Sequence, residues 1–278
     1  MVNPGQPPPE RRAAVRVLDA VPELADEITD DRLEGARRHA LAATIELSPG
    51  RWQASQSDLD DPGGYGLLVV DGLMTRDIVL GQTTASELVG SGDLLRPNDN
   101  EGQISPVPFD IAWTVLEPTR LAILDRRFAI VTARWPEVAA AVVRCAVRRS
   151  HALTYQIAVG HMTRVDSRLL VLFWHLADRW GRVTRDGIVI PLKLTHQVLG
   201  RIVGAQRPSV TTALKSLTDR GSLTRAPDGT WLLHGQPPEE YRRISEPHHQ
   251  VLTEPLPELE RESEEHRIPI DPSEQPAD

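Results

Sequence analysis

One cysteine, Cys145, in 278 residues excludes an intramolecular disulfide and a four-cysteine zinc or iron–sulfur site within one chain. No apolar run approaches the roughly 18–20 residues of a membrane span. The start, MVNPGQPPPERR, has no apolar segment behind its arginines and does not read as a secretory signal. Together these absences predict a cytoplasmic protein with no membrane contact. Residues 1–130 contain a single histidine, His39, too few for a histidine-built metal enzyme and weak support for a haem site. No G-x-S-x-G elbow occurs, and Gly63, Gly64 and Gly66 precede a strand instead of opening a helix. No catalytic residue, metal ligand or cofactor is assigned, and an enzyme is not expected.

Charge is present but unevenly placed. The net charge is −8, and residues 245–278 carry ten acids against two arginines, which is the whole of it. Residues 164–244 hold 13 Lys+Arg against 7 Asp+Glu, a net of +6. The overall acidity therefore hides a basic segment that could face a polyanion or form an ordinary solvated surface. The tail EPLPELERESEEHRIPIDPSEQPAD is rich in Pro, Glu and Ser and is expected to be disordered and solubilising. His248 and His249 fall in it without a third metal ligand.

A flexible start over residues 1–20, Pro-rich through residue 12, leads into two short helical stretches over residues 22–43, the second capped by Asp30 or Asp31. A strand pattern follows. GLLVVDGLMTRDIVL puts apolar runs on either side of Asp71 and Gly72, predicting a tight hairpin there. Turns are expected at Gly90, at Gly92 and Asp93, and at the Pro97, Asn98, Asp99, Asn100 cluster. Further strands are expected over residues 113–116 and 121–124, giving a small antiparallel barrel or roll. From Pro136 to Met162 the pattern becomes a helix about 40 Å long. Ala139, Val143, Ala146, Ser150, Leu153 and Ile157 form a coiled-coil-like seam, and Val138, Val142, Cys145 and Ala152 form an adjacent apolar face. Two such faces fit a helix packed on its own domain and on a partner; one buried helix is the alternative. Cys145 reads as a core thiol.

Residues 164–180 predict an amphipathic helix with Leu169, Leu170, Leu172, Phe173 and Leu176 inward, then a hairpin at Asp186 and Gly187. Thr195 caps HQVLGRIV, Gly204 breaks that helix, and Pro208 opens the next, SVTTALKSLTDRG. A last hairpin turns at Asp228 and Gly229. Helix, short turn, helix and hairpin make a winged helix-turn-helix. Leu199, Ile202, Val203, Val210, Leu214 and Leu217 face inward. Gln206, Arg207, Ser209, Thr211, Thr212 and Lys215 present the opposite, polar side. Arg207 suits a bidentate contact to a guanine edge, and the serine and threonines suit bases or phosphates. Thr195 and Gln197 suit phosphates at the first helix's start, and Arg225 suits the backbone beside the wing. A plain surface arginine is the alternative for Arg207. The tryptophans read as packing residues.

The run from SRLLVLFWHL to TWLLHG, with its PLKLTHQVLGRIVGAQRPSVTTALKSL core, resembles the carboxy-terminal domain of the Crp/Fnr superfamily of bacterial transcription regulators. Upstream, GLLVVDGLMTRDIVL, ELVGSGDLLRP and WTVLEPTRLAILDRRF look like that family's cyclic-nucleotide-binding-type β-roll. The resemblance implies an α+β protein: an antiparallel β-roll over residues 21–130, a dimerisation helix over 131–163 and a winged helix-turn-helix over 164–240. It implies a homodimer on two-fold double-stranded DNA, with RNA polymerase as a further partner and a small-molecule effector possible in the roll. The chain departs from members that bind cyclic AMP. Arg96 and Pro97 stand where those carry Gly-Glu, and Asp110 and Ile111 where they carry Arg-Ser, so a carboxylate replaces the phosphate's arginine. Cyclic AMP is therefore not expected as effector, with Arg96 and Arg120 the candidate substitutes. The other functional classes left open are a β-roll ligand-binding protein or enzyme with an appended DNA-binding domain, and a ligand-independent scaffold regulator.

Overall fold

The computed structural model describes residues 13–54, 63–97 and 107–238. Residues 1–12, the tail 245–278 with His248 and His249, and Asn98, Asp99 and Asn100 lie outside the described residues.

The amino-terminal portion is an antiparallel roll with short helices on its flank. Its elements are β1 (Ala14–Arg16), α1 (Val17–Ala20), a 3-10 turn (Pro22–Ala25), α2 (Asp30–His39), β2 (Leu41–Leu47), β3 (Gly50–Trp52), β4 (Gly66–Leu80), β5 (Thr83–Gly90), β6 (Leu94–Leu95) and β7 (Asp110–Leu124). The long strands β4 and β7 pair antiparallel as a spine. β2 and β3 share the outer edge of β7, and β5 and β6 share the outer edge of β4. The apolar run in β4 divides by period two: Leu67 and Val69 enter the roll's interior, whereas Leu68 and Val70 face the flanking helices. Two buried faces explain why that strand reads as continuously apolar.

Four expectations need correction. The first 20 residues are not flexible throughout, because β1 pairs with β2 and α1 buries Val17 and Leu18 beneath the long helix. Asp71 and Gly72 form no hairpin; β4 runs straight through them. Gly72 has φ 101°, and a Cβ there would lie 2.4 Å from Thr119 Oγ1, so the pair serves a bulge against β7. The tight turn lies at Gly81 and Gln82, where Leu80 pairs with Thr83. Residues 113–116 and 121–124 belong to the single strand β7, which carries Pro118 opposite that bulge. The residue capping α2 is Thr29, so Asp30 and Asp31 occupy the first turn, where their charge complements the helix dipole.

The remaining elements are α3 (Arg126–Thr132), α4 (Pro136–Gly160), α5 (Val165–Trp180), β8 (Arg182–Val183), β9 (Ile188–Ile190), α6 (His196–Val203), α7 (Arg207–Asp219), β10 (Leu223–Arg225) and β11 (Trp231–Leu233). Asp125 caps α3 by accepting from the Phe128 amide at 2.8 Å. On α4 the two apolar lines separate as expected. Val138, Val142 and Cys145 are buried against the roll's helical flank, whereas Val143 and Ile157 are 61% and 63% exposed. Burial pushes the Cys145 thiol's pKa up, which keeps it protonated and unreactive.

Buried carboxylates on the roll hold three helices. Asp77, Glu87 and Asp93 are 5%, 9% and 2% exposed. Asp77 accepts from Ser86 Oγ and pairs with Arg201 of α6 at 3.1 Å. Glu87 takes Arg149 of α4 in a two-pronged pair at 2.6 and 2.8 Å, with Arg76 at 3.9 Å. Asp93 pairs with Arg179 of α5 at 2.7 Å. Gln156 of α4 donates both to Ser86 O at 2.8 Å and to Ile202 O at 3.1 Å, joining β5 to α6. Leu73 of the roll also enters the core of the carboxy-terminal domain. Removing the Glu87 carboxylate takes away a buried anion that two part-buried arginines, Arg149 and Arg76, face. Glu87→Ala is therefore expected to cost about 3 kcal/mol in urea unfolding. Glu34→Ala, in the exposed pair with Arg38, should cost less than about 0.5 kcal/mol. Equal effects would contradict this reading of the roll's carboxylates.

Candidate nucleic-acid interface

The carboxy-terminal domain folds around Leu169, Phe173, Leu176, Leu199, Leu214 and Trp231. The Thr195 hydroxyl accepts from the Val198 amide at 3.2 Å and starts α6. Gly204 ends it in the left-handed region at φ 66°. Gly200 lets the turn close, since a Cβ there would lie 2.5 Å from Ala205 O. Arg168 braces the same turn by donating to Val203 O and Gly204 O, both at 3.1 Å. α7 then begins at Arg207, with Pro208 in its first turn and Gln206 as the extended residue before it.

The inward set of the two helices is buried as expected: Leu199, Ile202, Val203, Val210, Leu214 and Leu217. Gln206, Arg207, Ser209, Thr211, Thr212 and Lys215 are all exposed, as are Thr195, Gln197 and Arg225. Two threonines are partly occupied: Thr211 Oγ1 donates to Arg207 O at 3.0 Å, and Thr212 Oγ1 donates to Pro208 O at 3.2 Å. Arg225 lies over the Trp231 ring at 5.3 Å, which fixes it on the wing. Trp231 in turn packs on Phe173 at 4.9 Å between centroids.

His196 joins these parts. Its Nδ1 lies 2.9 Å from Thr211 Oγ1, tying the first residue of α6 to α7. Burial, then the charges of Arg225 and Arg207, lower its pKa. The wing, the start of α6 and the start of α7 therefore converge on one exposed surface. The sequence reading passed over His196; its place after the capping Thr195 was the available signal. It also passed over Asp166, which accepts from Arg164 at 2.9 Å and from Arg220, just past α7, at 3.0 Å. The Arg164 bond leads in holding that carboxyl down to about 2, so it is ionised wherever the protein works.

The two candidate effector arginines are not brought together. Arg96 lines a cleft of about 400 Å³ between the roll and α4, with Tyr65, Leu94, Val142 and Val143 among its walls. Arg120 is not among the cleft's lining residues and pairs with Asp71 at 2.7 Å. Among the described residues no cluster of three metal-ligating side chains occurs, and no helix is long and apolar enough to cross a membrane.

An antiparallel roll joined by a long helix to a winged helix-turn-helix is the architecture of a DNA-binding transcription regulator. Residues 164–233 match the Crp-like helix-turn-helix domain. The CRP-like cAMP-activated global transcriptional regulator of Mycobacterium tuberculosis is 26% identical over 195 residues, covering 68% of this chain and 85% of that protein. Two solved structures share the fold. A cyclic nucleotide-binding domain containing protein from Listeria monocytogenes EGD-e is 15% identical at TM-score 0.56, covering 78% of this chain and 97% of that one. FixK2 from Bradyrhizobium japonicum is 15% identical at TM-score 0.53, covering 70% and 93%. The chain is thus similar to transcription regulators of the Crp/Fnr type, and residues 164–233 form a Crp-like helix-turn-helix domain.

Proposed function

We propose that the chain acts as a homodimer that reads a two-fold operator, with α7 of each protomer in a major groove. The observation that carries this reading is the convergence of Thr195, Gln197, Arg207 and Arg225 on one exposed surface around His196. In this reading Arg207 contacts a base edge. Gln206, Ser209, Thr211, Thr212 and Lys215 line the groove, and Thr195, Gln197 and Arg225 hold phosphates. The working divisions are a roll to residue 130, a dimerisation helix over 131–163 and a DNA-binding domain over 164–240. RNA polymerase is the further partner, the compartment is the cytoplasm, and no catalytic role is assigned.

Arg207→Ala, on the duplex the wild-type protein prefers, is expected to weaken binding by about 1–3 kcal/mol and relax one base position in each half-site. Unchanged sequence preference would remove α7 from the recognition role.

The unpartnered seam of α4 supports the dimer. Val143, Val147 and Ile157 are exposed hydrophobics on that helix. In this reading two copies pair along it and present their recognition helices about 34 Å apart, one turn of DNA. Ile157→Glu puts a charge on a side chain that the single chain leaves exposed, so the fold should survive. It is expected to shift the protein to monomer in sedimentation by at least about tenfold in dimer affinity, about 1.4 kcal/mol. An intact dimer would place the interface elsewhere.

The effector is not cyclic AMP in this reading, although a relative's name records activation by it. Asp110 opens β7 where the resemblance asks for an arginine, and Arg120 is engaged by Asp71. An effector would act by shifting the population of two domain arrangements through α4. Melting curves with cyclic AMP at about 1 mM are expected to match those without it. A shift of several degrees would overturn this part of the reading.

A further inference from the structure

The hydrogen bonds at Thr211 favour one tautomer of His196. The Thr211 hydroxyl has one hydrogen, and it is donated to Arg207 O at 3.0 Å. The 2.9 Å contact with His196 is therefore made by the ring's Nδ1–H, with Thr211 Oγ1 accepting. In the neutral ring the unprotonated nitrogen is then Nε2, which has no partner among the described residues. The charged groups facing the ring are Arg207 from α7 and Arg225 from β10. Its neighbours on α6, Thr195 and Gln197, are uncharged. At the wing's tip Asp228 is occupied by the amide and hydroxyl of Thr230, at 3.0 and 2.7 Å. Among the described residues the ring is thus a proton acceptor close to two cations, with no carboxylate acting on it to balance them.

We propose that His196 is a proton-linked phosphate contact: binding of DNA draws one proton from solvent onto Nε2, and the resulting imidazolium donates to a backbone phosphate oxygen between Arg207 and Arg225. This rests on the assignment of this surface to DNA. The phosphate's negative charge offsets the two guanidiniums that disfavour protonation, so the ring's pKa is higher in the complex than in the free protein. The sign of the linkage follows. The extra affinity is fully present below the free protein's pKa, which lies under the ordinary histidine value, and is lost as pH rises through the complex's pKa. Nδ1 keeps its bond to Thr211 in both states, so the recognition helix does not have to move.

The test measures affinity for a fluorescent random-sequence duplex about three helical turns long, at low fixed salt, from pH 5.5 to 8. A random duplex suffices because a phosphate contact does not depend on base sequence. Wild-type protein is expected to lose about tenfold in affinity across this range, with a slope no steeper than one decade per pH unit. His196→Asn can still donate to Thr211 but does not titrate; it should bind with the weak, pH-independent affinity that wild type shows at pH 8. His196→Arg carries a fixed charge and should bind tightly and without pH dependence. A flat wild-type profile, or an unchanged slope in His196→Asn, overturns the proposal while leaving the DNA-binding surface standing. Failure to bind duplex at any pH overturns both.

Discussion

The placement of α7 depends on carboxylates that the roll buries for arginines of the surrounding helices to find. Asp77, Glu87 and Asp93 belong to the roll, yet their partners Arg201, Arg149 and Arg179 come from α6, α4 and α5. Such pairs add little net stability, because each charge loses its hydration on burial. What they add is direction: a buried acid tolerates one arrangement of its arginine and penalises the rest. The apolar contact of Leu73 with the carboxy-terminal core could slide, whereas the Arg201 and Asp77 pair cannot without stranding a charge. The orientation of α7 is thus written partly in β4 and β5, some 120 residues upstream.

The long helix α4 has a different division of labour. One face is anchored: Glu137, Arg144 and Arg148 pair with Arg32, Glu27 and Glu23 of the amino-terminal helices and the turn joining them, while Val138, Val142 and Cys145 fill the core beneath. The other face keeps Val143, Val147 and Ile157 in the open. Isolated exposed apolar residues are ordinary on a protein surface, but a row of them along one helix calls for a partner. In the proposed dimer α4 would carry both the anchor to the roll and the pairing seam, and so would link what happens in one protomer to the spacing of two.

The sequence was most informative where local chemistry decides structure. The winged helix-turn-helix could be read residue by residue, because Thr195, Gly204 and Pro208 act on their own neighbours. Their cap, left-handed turn and helix start appear where the residue types require them. The roll was legible only as a class. Asp71 and Gly72 carry a hairpin signal, yet the positive φ of Gly72 serves a bulge because β7 with Pro118 lies directly opposite, a fact 46 residues away. The first strand and helix were hidden by their brevity: Ala14–Arg16 gains order from β2, and Val17–Ala20 from the core its Val17 and Leu18 share with the flanking helices. The partners of Asp77, Glu87 and Asp93 could not be read at all, since no periodicity announces which arginine will meet which acid. His196 was missed for a related reason: its significance comes from Thr211, Arg207 and Arg225, which only folding assembles.

The central claim is that two exposed recognition helices, held at a fixed spacing, read a two-fold DNA site. The most direct measurement is selection of genomic fragments by the purified full-length protein near physiological salt, followed by sequencing. The account predicts enrichment of an inverted repeat whose half-site centres lie about one helical turn, roughly 10 base pairs, apart. Binding that falls steeply with salt and enriches no shared motif would contradict it, because phosphate contacts alone would then account for the interaction.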